Sequence, residues 1–348
     1  MCQVVGRGRN RLLTLIILIC AYIDADAVPL QDDIREQGIQ VIDLIYSEDF
    51  KAAEDVARKL VRKYPENPAG YFFVAVTLDT WMAFYFDKKK ENEFYKFCDL
   101  AIEKGEKILA KNSGDEWALF FMGGAEGYKG TYEARYERWI TAFRFGWRGV
   151  STLLKLTEMQ SDIVDVNYGI GSYDYWRSAM INTLWFMPKI KDKRDDGIKR
   201  LIVAADNGIL TRLTAHTALI EILLNENRFA EAMTYTDRLL SQYPLSTQAM
   251  WGKARALYGL GQLDESRRYF TKVLRRYESD EYISVYYQVL CNYWLARVDF
   301  ADKKYEEVIN EVTVMNTFTI NDDIRKLLDK YFSEAAGLKK QAGVKLKK

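Results

Sequence analysis

The sequence predicts an all-α chain, folded as an α-solenoid of stacked antiparallel helix pairs. Three observations predict it. The 348 residues include only five prolines, and the stretches between them are long enough for helices. Within those stretches apolar residues recur at three- and four-residue spacing rather than in alternation. Finally, a helix-sized block repeats after 34 residues, from Phe229–Pro244 to Leu263–Glu278. One helix pair cannot bury its apolar face alone, so a repeating pair implies stacking.

The chain opens with Arg7, Arg9 and Arg11, an apolar run over 12–23, and Ala25-Asp26-Ala27. A basic start, a short apolar stretch and a small-x-small site form a secretory signal peptide, 1–27, with cleavage near Ala27. The run is shorter than the roughly 20 residues a spanning helix needs. Cys20 follows Ile19 rather than a small residue, which argues against lipidation. The expected localisation is therefore export, to the periplasm or the cell envelope. Removing 1–27 takes away three arginines and two aspartates and leaves 47 residues of each charge. A neutral chain has no electrostatic footprint for nucleic acid, and none is expected as a partner.

Residues 28–335 read as the helical repeat domain. Asp49–Tyr64 puts Ala53, Val56, Ala57, Leu60 and Val61 on one face and Lys51, Glu54, Arg58 and Lys63 on the other. Ser113 and Glu116 have capping-box spacing ahead of the run from Trp117. Gly123, Gly127 and Gly130 share a helical face beside Gly124, and Gly146 and Gly149 follow. Each glycine costs a helix about 0.5–1 kcal/mol against alanine. Their clustering predicts that another backbone approaches closely there. Gly169-Ile170-Gly171 lacks a preceding strand and a third glycine, so it is no dinucleotide loop. The clearest repeats span 213–280, the divergent middle 115–208. Residues 336–348, with five lysines, read as a disordered basic tail.

The 34-residue helix-turn-helix unit resembles the tetratricopeptide repeat. Small crossing residues of the first helix fall at Ala75, Ala125 and Ala254, with Ile220 departing. Those of the second fall at Ala53, Ala232 and Ser266, and Pro65 and Pro244 close their units. The segment 165–180, continued by Thr183–Pro188, is similar to a G-x-G-x-Y-x-Y helix of exported bacterial proteins of this family. More faintly, the order resembles inclusion-body-clearance-type proteins with such repeats. The resemblance implies a right-handed superhelix and a protein or peptide partner held in its concave groove. Carried onto this sequence, the groove positions are Thr217 and Glu221, then Trp251, Arg255 and Tyr258, with Asp174 and Arg177 in the middle helix. Arg255 between two aromatic rings would hold a carboxylate.

No enzyme is expected. The single histidine, His216, falls on a packing position of its repeat, and no metal site or cofactor is expected around it. Cys98 and Cys291 sit in apolar helical runs far apart in the solenoid and read as buried thiols. The aromatic runs at 71–73, 84–86, 185–187 and 291–294 read as core. One alternative is a helical carbohydrate-active enzyme using Asp165 and Asp174 as a carboxylate pair. Another is an envelope-tethered, membrane-associated subunit.

Overall fold

A computed structural model describes residues 30–180, 191–280 and 282–347. The expected signal peptide over 1–27 and the 183–188 stretch, including the 185–187 aromatics, lie outside the described residues. The described residues form fifteen α-helices and no strand. Seven antiparallel pairs follow one another: α1 (Asp32–Tyr46) with α2 (Phe50–Lys63), α3 (Pro68–Tyr85) with α4 (Glu91–Leu109), α5 (Glu116–Arg135) with α6 (Trp139–Glu158), and α7 (Val166–Met180) with α8 (Arg194–Asn207). Then come α9 (Arg212–Asn225) with α10 (Phe229–Gln242), α11 (Thr247–Gly259) with α12 (Leu263–Ser279), and α13 (Val285–Ala301) with α14 (Tyr305–Met315). A last helix, α15 (Asp322–Lys345), packs on α13 and α14.

The first and second helices of the pairs differ in a way their sequences dictate. In α3 every residue from Pro68 to Asp79 is buried, so the helix is covered on all sides. The second helix of the preceding pair, α2, buries only Phe50, Ala53, Val56, Ala57 and Leu60, one stripe at helical spacing. First helices lie inside the solenoid and second helices outside, where one face meets water. Many of the turns within pairs end in the left-handed backbone region, at Glu48, Phe86, Glu137, Asn227, Gly261 and Lys303. Only Gly261 takes that conformation without a steric cost.

The middle pairs cross backbone on backbone, as the glycine spacing predicts. A Cβ on Gly149 of α6 would lie 2.7 Å from the Gly123 carbonyl oxygen and 2.9 Å from the Gly127 nitrogen of α5. Gly130 faces Gly146 in the same crossing. In the next pair Gly171 faces Gly197, each close to the other's carbonyl oxygen. Ile220, too large for its repeat position, is accommodated from the neighbouring pair. Its Cγ2 would stand 2.6 Å from a Cβ on Gly252 of α11.

Two expectations are corrected. Asp115, not Ser113, caps α5 by accepting from the Ala118 amide at 2.9 Å. Glu116 instead accepts from the Ser161 hydroxyl at 2.6 Å. The lysine-rich end is not a disordered tail, because α15 continues to Lys345 with Ala335 and Ala342 buried. Alanines on one stripe let the helix lie against its neighbours while the lysines stay in water.

The solenoid winds tightly enough to touch itself. Tyr46 of α1 shares a 3.0 Å hydrogen bond with Thr217 of α9, and Tyr243 donates to Asp43 at 2.6 Å. Thr247 donates its amide and hydroxyl to Glu48, which also meets Arg276 at 3.3 Å. Tyr85 donates to Asp280 at 3.1 Å, and Phe86 stacks on Tyr286 with centroids 3.5 Å apart. The first three helices thus close a seam against α9 to α13.

Candidate functional site

The inner helices present hydroxyls and rings to the solenoid interior. Tyr46, Tyr128 and Tyr168 lie near one another, with Thr214 close to Tyr46 and Tyr128. Burial pushes the Tyr46 phenol up to about 12 and raises the other two further, so all three stay neutral hydrogen-bonding groups. Asp79 of α3 pairs with Arg135 of α5 at 2.9 Å, and burial raises the Asp79 carboxyl against the pull of that guanidinium. Arg135 Nη1 and the Tyr136 hydroxyl are buried without hydrogen-bond partners among the described residues.

The sequence-derived groove residues are brought only partly together. Thr217 is engaged by Tyr46 and by the Leu213 carbonyl. Arg255 donates Nη1 to both carboxylate oxygens of Glu221, at 3.0 and 2.7 Å. Its charge is met one repeat away, and it is not an unpaired carboxylate clamp. Trp251 packs edge-on against Phe270 at 5.4 Å and lies 6.2 Å from Tyr287, half-buried against the core. Tyr258 meets Trp294 edge-on at 5.5 Å. The cation beside these rings is Arg297, 5.0 Å from Tyr258 and 4.5 Å from Trp294. Asp174 pairs with Lys193 at 3.5 Å rather than with Arg177, whose guanidinium lies 5.9 Å from the Tyr173 ring.

The residues that sequence reasoning missed are Tyr46, Asp79, Arg135 and Arg297. Asp79 and Arg135 sit in units stretched away from the 34-residue period, Tyr46 in the first helix ahead of the 50–65 match, and Arg297 in the degenerate unit after 280. Only a polar residue inside an apolar run, as Asp79 is, could have flagged them.

The remaining candidates for chemistry are spent on structure. Asp165 accepts from the amides of Ile209, Leu210 and Thr211 and from the Thr211 hydroxyl, fixing the loop before α9. His216 is buried, donates Nε2–H to the Ala205 carbonyl at 3.1 Å and packs on Tyr235. Desolvation pulls its pKa down, so it stays neutral at pH 7. Cys98 and Cys291 are buried free thiols, as expected. Among the described residues no acidic, His or Cys cluster has the makings of a metal site. An open cleft of about 590 Å³ lies at the seam, bounded by Phe86, Lys88, Tyr136, Ile283, Tyr286 and Ile324.

Residues 217–281 match the family model of the tetratricopeptide repeat. Over this stretch the chain carries tetratricopeptide repeats. The matched stretch overlaps the two units in which the period is clearest and includes all five groove residues of α9 and α11. No curated protein matches the chain. Among solved structures it is similar to PilW, a widely conserved type IV pilus biogenesis factor, at 16% identity, covering 73% of this chain and 98% of that one, with a TM-score of 0.44. It is similar to a Rap protein complexed with competence and sporulation factor at 13% identity, over 90% and 88% of the two chains, TM-score 0.48. A tetratricopeptide repeat protein from Parabacteroides merdae is 14% identical over 87% of this chain and 100% of that one, TM-score 0.38. These likenesses concern the helical-repeat backbone and carry no functional residue across.

Proposed function

We propose that the protein is a non-enzymatic scaffold, exported to the periplasm or cell envelope, that holds a segment of a protein partner on its interior face. The observation that carries this reading is the chemistry of that face. Neutral phenols at Tyr46, Tyr128 and Tyr168, the Thr217 hydroxyl and the Glu221–Arg255 pair offer donors and acceptors without net charge. Such a surface suits the backbone amides and carbonyls of an extended chain. The leader over 1–27 supports export. A glycosidase needs two free carboxyl groups, and Asp165 and Asp174 are both engaged elsewhere.

The test is a crosslinking pull-down from the native envelope, comparing wild type with Glu221→Arg/Arg255→Glu. The swap keeps an ion pair while reversing its direction across the face. Partner recovery is expected to fall while the helical circular dichroism stays. Equal recovery removes the interior face as the binding site. Fractionation with N-terminal sequencing tests export, which requires a mature chain beginning at Val28.

A further inference from the structure

We propose that the outward face of α6 and α7 docks on a membrane surface bearing anionic lipid headgroups. The patch runs from the outer helix α6 onto the exposed edge of α7, and it does not depend on the reading given above. Ile140, Arg144, Trp147 and Lys155 fall on one stripe of α6 at helical spacing, all exposed. Ile140 is 71% and Trp147 53% exposed, unusual for such large apolar side chains on an outer helix. The patch continues onto α7, where Tyr173 lies 6.3 Å from Trp147, and Trp176, one turn on, is 39% exposed.

The charge around these rings selects the partner. Helix α6 carries Arg144, Arg148 and Lys155 against a single acid, Glu158 in its last turn, although the whole chain is close to neutral. Arg138 and Arg148 are answered internally by Glu133 and Glu126. Arg144 lies against the Phe145 ring, Arg177 against Tyr173, and neither they nor Lys155 form an ion pair among the described residues. Among the described residues no carboxylate answers them, and anionic headgroups complement that charge. Indoles seat at headgroup depth, where phosphates supply negative charge to arginine and lysine. No helix among the described residues is long and apolar enough to cross a membrane, so the contact is peripheral.

The test is co-sedimentation with vesicles of phosphatidylcholine alone or mixed with phosphatidylglycerol. The chain is used from Val28, which keeps every described helix and removes the apolar run of the leader. Binding is expected to the mixed vesicles only and to weaken as salt rises. Trp147→Ala/Trp176→Ala and Arg144→Glu should each lower it on the order of tenfold, with circular dichroism unchanged because the side chains are exposed. Wild-type failure to bind, or equal binding by the variants, overturns the proposal. So does a photocrosslinker at position 147 that captures a protein in cells while vesicles fail.

Discussion

The pairs α5–α8 and α9–α12 solve one packing problem in two ways. In α9–α12 small side chains mark the crossings: Ala232, Ala254 and Ser266 are fully buried, and Ser266 donates its hydroxyl to the Ala254 carbonyl at 2.9 Å. In α5–α8 glycines bring the backbones themselves together, at Gly123, Gly127 and Gly149, then at Gly171 and Gly197. The first solution tolerates exchange, because a side chain can shift. The second does not, because the obstacle to any added atom is another main chain. It follows that the less regular region is the less mutable one.

The largest effect should therefore come from the middle. Gly149→Ala places a methyl against the α5 backbone and should cost about 3 kcal/mol or more, read from urea unfolding. A cost as small as a surface substitution would break the comparison. Gly252→Ala should cost about 1–3 kcal/mol, because its obstacle is the Ile220 methyl. Ile220→Ala in the same chain should recover part of that loss, whereas no side-chain change should rescue Gly149→Ala. A double-mutant cycle measures both.

A third effect sharpens the comparison by pH. At the α12–α13 junction, burial pushes Asp299 up to about 6 despite its 2.9 Å pair with Arg267, and burial takes Glu311 of α14 to about 7. Folded-state values above the unfolded ones mean the folded form binds protons more tightly. The contribution of these groups is fully present below about pH 4 and is lost as pH rises through 6 to 7. Hydrogen exchange should therefore show α12–α14 better protected at pH 5 than at pH 8, after correction for intrinsic rates. In α5–α8 burial raises the Glu126 carboxyl beside Gly127 in the same direction, so that crossing should follow too, and Glu126→Gln should flatten its change. Asp299→Asn should flatten the change in α12–α14. The smallest effect is Tyr46→Phe, about 1 kcal/mol for the hydrogen bond to Thr217.

Much of the fold was legible because its rules are local. Helical spacing, the 34-residue period and the glycine clusters each report on neighbours in sequence or in the next helix. Even Ile220, a departure from the repeat, is explained by Gly252 one unit on. The site was less legible. In sequence Arg255 looks like a carboxylate clamp, because its partner Glu221 lies one repeat away at a groove position of its own. Arg297 could not be placed, since its unit has lost the period. The contacts of Tyr46, Glu48 and Phe86 with residues 170–200 positions later depend on the summed angle of every intervening pair. No local pattern encodes that sum.

That seam also bears on how the chain reaches its native state. An open solenoid makes only neighbour contacts, so its units can form in turn from either end. Here Glu48, Tyr85 and Phe86 wait for Thr247, Asp280 and Tyr286. As the chain emerges from its N-terminus, α1–α3 can assemble early but stay exposed along one side until α13 exists. Long-range closure of this kind slows folding and couples the two ends in unfolding. Truncation before α11 should therefore loosen the chain around Glu48 and Tyr85, which the missing segment never adjoins in sequence.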